Sequence, residues 1–211
     1  MVATSESGLI KMDKKSFIDR IASAENAERK AAKLPEFSAD DTTSTTQTQG
    51  ETFDAFERNF KANHGEIILG CENLLEFLKS KGCKKGVIDA KLENTSGLEE
   101  HFEISREFDR NNPESFDFGI STASFAIAES GAIVLEDAAT ADRLSTIAPW
   151  IHIAVLKKSN IVRTIADALS KPFPAPYAIW ISGPSKTSDV EGILVEGVHG
   201  PGIQAVFIEK D

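Results

Sequence analysis

The chain has 211 residues, 41% of them apolar and 27% charged, a composition that supports a folded core and excludes a wholly disordered chain. Lys and Arg number 23 against 33 Asp and Glu, a formal charge of -10, which argues against general affinity for nucleic acid or anionic membrane. Two cysteines, Cys71 and Cys83, are too few for a disulfide framework or a Cys-rich metal cluster, so a reduced, cytoplasmic pair is expected.

The N-terminal dozen residues carry no apolar leader core, and no apolar run reaches the roughly 20 residues needed to span a bilayer. Lys14 to Lys33 reads as an amphipathic helix, with Phe17, Ile21, Ala24, Ala27 and Ala31 spaced three or four apart and Pro35 closing it. From Glu36 to Gly50 the chain is rich in Ser, Thr, Asp and Gln with almost nothing to bury, which predicts a flexible linker. Residues 1–50 therefore read as a helical appendage and residues 51–211 as the main domain.

Glu51 to Asn63 predicts a helix with Phe53, Phe56 and Phe60 on one stripe, the pattern of a core face. A strand over 66–70, a helix from Cys71 ended by Gly82, and strands over 86–90 and 101–105 follow. FAIAES and GAIVLE read as two strands around a tight Ser130-Gly131 turn. A short helix before Pro149, a strand over 151–156, a helix over 160–171 capped by Asn160, and strands over 177–182 and 203–209 complete the chain. This alternation predicts an α/β fold with a largely parallel sheet, made mixed by the hairpin. Residues 1–110 hold 16 basic and 21 acidic side chains, residues 111–211 only 7 and 12, so the second half supplies most of the buried sheet.

Chemistry-bearing residues concentrate in that half. GPSKTSDVE, residues 183–191, leaves an apolar strand with Ser185, Thr187, Ser188 and Asp189 suited to capping a helix, and Lys186 adds charge. It reads either as an anion-binding helix start or as a capped turn; the P-loop pattern is absent. Glu129 sits in an apolar run, where a carboxylate serves as base or nucleophile if buried, or faces water at a strand end. His152 lies within the strand IHIAVL, either as a sheet-face residue or a site residue. His199, on the glycine-rich turn GVHGPG, suits a functional role better. His64 and His101 have no supporting context, no histidine pair has metal-ligand spacing, and there is no dinucleotide fingerprint; no metal and no cofactor are expected.

FAIAESGAIVLE, RLSTIAPWIHIAVLKKSNIV and ISGPSKTSDVEGILVEGVHGPG resemble, in this order, the lactate-utilisation (LUD) domain family. That family's run reads roughly A-E-T-G, R-L, H-I-A-V, G-P-S-x-T-A-D-I-E and G-V-H-G-P; here Ser130, Ser188 and Val190 replace Thr, Ala and Ile. The resemblance covers about residues 115–209 closely and 51–110 in layout. It implies a three-layer fold similar to the NagB/RpiA/CoA-transferase group. It also implies a part in oxidising L-lactate to pyruvate beside two partner proteins that carry iron–sulfur clusters, with this chain as the cluster-free member. The matching positions are Glu129, Gly131, Arg143, His152, Ser185, Thr187, Asp189, Glu191, His199 and Gly200.

Three functions stay open at this point: a cluster-free subunit binding a small carboxylate or phosphate-bearing ligand, an independent CoA-transferase-like enzyme with Glu129 attacking an acyl group, or a scaffolding domain. The site reading places Glu129 and His199 in catalytic roles and Arg143, His152, Ser185, Lys186, Thr187, Asp189 and Gly200 around the ligand. Of these, Glu129, Arg143, Ser185, Thr187, Asp189 and His199 are expected in one anion-accepting cleft at the carboxyl edge of the sheet. The ligand's identity and any homo-oligomer are left open.

Overall fold

In the computed structural model, which describes residues 13–29, 45–92, 97–136, 142–171, 177–189 and 192–209, the chain divides into two units, Met1–Thr43 and Ser44–Asp211. The first contributes α1 (Lys14–Arg29), started by Asp13, whose carboxylate accepts the Lys15 and Ser16 N–H groups at 2.9 and 3.1 Å. The remainder of the helix expected up to Lys33, and residues 36–44 of the expected linker, lie outside the described residues. Residues 45–50 are pinned: the turn Thr45–Thr48 and its neighbours give carbonyls to Arg58, Asn59 and Arg163, Gln47 and Thr48 at 2.6 to 3.1 Å.

The second unit runs α2 (Thr52–Ala62), β1 (Glu66–Leu69), α3 (Cys71–Ser80), β2 (Lys85–Ile88), β3 (Glu103–Ser105), β4 (Phe118–Thr122), β5 (Phe125–Ile127) and β6 (Ala132–Glu136). It continues through α4 (Leu144–Ile147), β7 (Ile151–Lys157), β8 (Ile161–Val162), α5 (Ile165–Leu169), β9 (Ala178–Ile181), β10 (Lys186–Thr187), β11 (Val195–Glu196) and β12 (Ile203–Glu209). Six strands form one sheet in the order β1-β12-β7-β4-β2-β3, parallel throughout. The fold is α/β, as the alternation predicts.

Alternating side chains of this sheet feed two cores. On one face Phe118, Ile120, Ile151, Ile153 and Phe207 pack against Leu74 and Leu78 of α3. On the other, Ala154, Leu156, Val206 and Ile208 meet Phe56 and Phe60 of α2 together with Ala126, Ile133 and Leu135. The aromatic stripe of α2 is thus a core face, with Phe56 and Phe60 stacked at 5.4 Å.

Three expectations need correction. The Ser130-Gly131 hairpin does not enter the parallel sheet; β5 and β6 belong to a separate four-stranded sheet, β8-β5-β6-β9, laid over the second core. No strand is expected directly ahead of FAIAES, yet Phe118–Thr122 is a central strand, β4, with α4 lying so close that a Cβ at Gly119 would overlap the Ser145 carbonyl. The helix expected from Asn160 begins later. Residues 161–162 pair with β5, and Thr164 caps α5 by a capping box in which its hydroxyl accepts the Asp167 N–H at 3.0 Å and Asp167 accepts the Thr164 N–H at 2.9 Å.

Candidate functional site

Register puts His152 of β7 between Gly119 of β4 and Gln204 of β12. Its Nδ1 lies 2.9 Å from Gln204 Oε1 and its Nε2 2.6 Å from Ser121 Oγ. Gln204 gives its amide N–H to the Ala205 carbonyl, so its oxygen faces the ring; Nδ1 therefore donates and Nε2 accepts from the serine hydroxyl. His152, Ser121 and Gln204 are at most 1% exposed, and burial pushes the imidazole pKa down to about 4, against the Gln204 bond, which raises it. His152, expected at the ligand, instead holds three strands of the sheet together from the inside.

The AESG turn is gripped by α2. Asn59 Nδ2 donates to the Ala128 carbonyl at 2.7 Å, and Asn63 Nδ2 to that of Ser130 at 3.1 Å. Gly131 has a φ of +62°, and a Cβ there would overlap the α2 backbone at Asn59 and Phe60. Glu129 is 7% exposed, and its Oε2 accepts the Ile165 N–H at 2.8 Å, satisfying a donor at the start of α5. Its own N–H binds the Arg163 carbonyl. These contacts favour a helix-capping role for Glu129 over an attacking one.

Residues 185–189 do not open a helix. Lys186 and Thr187 form β10, antiparallel to β11, in a short ribbon. Ser185 spends its N–H on the Pro201 carbonyl, and its carbonyl on the Gly197 N–H, both at 2.9 Å. The Ser185 N–H, expected to aim at an anion, is thus paired with the neighbouring turn, because the 195–202 segment folds back onto it. Gly200 packs on Ser185, while Gly197 and Gly202 lie against the Trp150 ring, each leaving no room for a Cβ at the two latter positions. Asp189 and His199 are exposed; Val190 and Glu191 lie outside the described residues.

Arg143 lies elsewhere. It stands just before α4, exposed, with its guanidinium carbon 4.0 Å above the Tyr177 ring centre. It lines a cleft of about 350 Å³ with Arg110, Asp142, Leu144, Ile147 and Ile179. Arg110 is neutralised by Asp142 at 2.9 Å, and Asp142 also caps Leu144. Arg143 has no ion pair among the described residues, and it presents a flat cation, oriented by Tyr177, to a cleft also lined by Ile147 and Ile179.

The single expected cleft therefore divides. Arg143 alone of its six members lines the cleft beside α4; Glu129 lies at the start of α5, and Ser185, Thr187, Asp189 and His199 belong to the ribbon and its turn. What does converge is the AESG turn and the 183–186 segment, both on the C-terminal end of α2: Gly183 packs on the Asn63 carbonyl, and Lys186 Nζ donates to it at 2.6 Å. Sequence reasoning missed the residues that bring this about, Asn59, Asn63 and His64, and the platform Tyr177. The N-H-G end of the α2 helix was the one available signal.

Comparison with known proteins places this geometry in a family. Lactate utilization protein C of Bacillus subtilis is 34% identical over 103 residues, covering 45% of this chain and 42% of that protein. Lactate utilization protein C of Deinococcus radiodurans is 38% identical over 88 residues, 39% and 41% of the two chains. An uncharacterized protein of Escherichia coli, YkgG, is 36% identical over 99 residues, 43% and 42%. Each match spans about two-fifths of the length of the curated relative. The crystal structure of a DUF162 family protein from Deinococcus radiodurans superposes with a TM-score of 0.57 at 18% identity, over 76% of this chain and 96% of that one, and so shares the fold. The sequence model of the LUD domain matches residues 22–208, beginning further toward the N-terminus than the resemblance over 51–209, and on that match the chain belongs to the LUD domain family.

Proposed function

We propose that this protein is the cluster-free subunit of an L-lactate-oxidising system and binds a small carboxylate, lactate or pyruvate, at Arg143. The relatives named Lactate utilization protein C support the pathway. In this reading the electrons pass to the iron–sulfur partner proteins that the family resemblance implies, the two cysteines of this chain being fewer than the four thiolates of a cluster.

One observation carries the ligand class: Arg143 is stacked on Tyr177 and unpaired among the described residues, at the mouth of a cleft walled by Ile147 and Ile179. A planar guanidinium offers two parallel N–H donors to a carboxylate, and the stack fixes the plane in which they lie. The apolar walls suit the short carbon chain behind that carboxylate.

Calorimetric titration of the full chain with L-lactate and with pyruvate tests the reading, alongside Arg143→Ala. Saturable binding that the variant loses is expected. Binding of equal strength in the variant places the ligand elsewhere, and failure to co-purify with either iron–sulfur protein of the same system removes the subunit role.

A further inference from the structure

His64 occupies an unusual position. It follows the C-terminal end of α2 with a φ of +70°, the only non-glycine described residue in the left-handed region. Its N–H binds the Lys61 carbonyl and the Gly65 N–H that of Phe60, both at 2.9 Å, the pattern of a helix stop. Glycine or asparagine fills such a position with least strain. The neighbouring Gly65 cannot trade places with His64, because a Cβ at 65 would collide with the Phe60 ring. A histidine kept under backbone strain at a surface helix end points to a role for its ring.

The ring is oriented from a distant part of the chain. His64 Nδ1 lies 2.6 Å from Glu196 Oε1, and a carboxylate can only accept, so Nδ1 carries the proton and the lone pair of the neutral ring sits on Nε2. Nε2 has no partner among the described residues, and the side chain is 58% exposed. Lys186 Nζ, 3.7 Å from the same Glu196 oxygen, balances its charge while donating one hydrogen bond to the Asn63 carbonyl. The AESG turn, the GPSK segment and β11 thus all reach this one helix end.

We propose that His64, Glu196 and Lys186 form a second recognition site, for a small 2-hydroxy acid: the hydroxyl donates to His64 Nε2 and the carboxylate takes the Lys186 donors that the described residues leave open. Glu196 acts through His64, fixing the tautomer that leaves an acceptor outward. A ring acceptor and an ammonium that both gather on Glu196 Oε1 match a hydroxyl and a carboxylate carried by one small acid, and a 2-keto acid lacks the donor. Arg143 reads only the carboxylate, common to lactate and pyruvate; this site distinguishes them. The choice of lactate as the acid rests on the function proposed above, whereas the tautomer and its carboxylate do not.

The test uses the full chain labelled with ¹⁵N-histidine, at a pH where the ring is neutral. Long-range ¹H–¹⁵N spectra are expected to show His64 protonated at Nδ1, and Glu196→Gln to abolish that preference. L-Lactate is expected to shift His64 Nε2 while pyruvate leaves it in place. His64→Gly, which suits the φ of +70°, should leave the thermal midpoint unchanged or raised yet reduce the hydroxy-acid response at this site at least tenfold. An Nε2-protonated ring, or equal shifts from lactate and pyruvate, overturns the proposal. So does a lactate response confined to Arg143 and lost in Arg143→Ala, an outcome that leaves the Arg143 reading intact. Lactate shifting neither place removes both.

Discussion

His152 Nε2 lies 2.6 Å from Ser121 Oγ, across two neighbouring parallel strands and fully out of reach of water. Burial between the strands disfavours the charged imidazole, which ties the stability of the sheet to pH. The folded pKa of about 4 is below the ordinary 6.5, so folding favours the neutral form. The contribution is therefore complete above about pH 6.5 and is lost as pH falls from there through 4. A shift of that size corresponds to roughly 3 kcal/mol. His152→Gln should flatten the fall in urea midpoint between pH 7 and pH 4 relative to the native chain; parallel curves would show that carboxylates alone set the acid limb.

Arg143→Ala should abolish carboxylate binding while changing stability by less than about 1 kcal/mol, because the side chain is exposed and stacks on the Tyr177 ring. Arg143→Lys keeps the charge and loses the planar stack, so its affinity should fall between the two. Paired thermal melts and titrations check both. A variant that unfolds would make Arg143 a structural residue.

Glu129→Gln tests the role of the buried carboxylate. It keeps an oxygen for the Ile165 N–H but removes the charge at the start of α5, so a loss of about 1 kcal/mol is expected. Incubation with acyl-CoA followed by hydroxylamine should trap nothing on Glu129. Recovery of a Glu129 hydroxamate would restore the transferase reading.

Gly131→Ala and Gly119→Ala should both be costly, by different routes. At 131 the φ of +62° and the α2 backbone oppose any Cβ; at 119 the Ser145 carbonyl does. Each should lose at least about 2 kcal/mol, of the order found for overpacking in a rigid interior. Gly70→Ala, at a φ of +85° with open space around it, isolates the backbone part and should lose less. Chemical denaturation of the three variants gives the comparison.

Most regular elements were legible because they follow local rules. The Phe stripe of α2, the Gly82 stop after α3, and the apolar runs of β7 and β12 carry their periodicity in adjacent residues. The two-residue strand β8 inside an expected helix was not, because Ile161 and Val162 extend only by pairing with Ala126 and Ile127 of β5. The 183–189 segment misled for a similar reason: its capping residues suit a helix, but β11 and the Pro201 carbonyl claim its backbone groups first.

The sequence by itself determined the α/β class, the sparse-charge half that supplies most of the buried strands, and the segments that bear the family's motifs, since composition and periodicity are properties of the linear chain. Only the tertiary structure decided which motif residues are available for chemistry. His152 and Glu129 are withdrawn by burial and by bonds to Gln204, Ser121 and Ile165, while Arg143 lies exposed over Tyr177 with no ion pair among the described residues. His64 gained an oriented ring from Glu196, 132 residues away. Partners that distant are set by how strands and helices pack, and no local pattern encodes which polar group will find one.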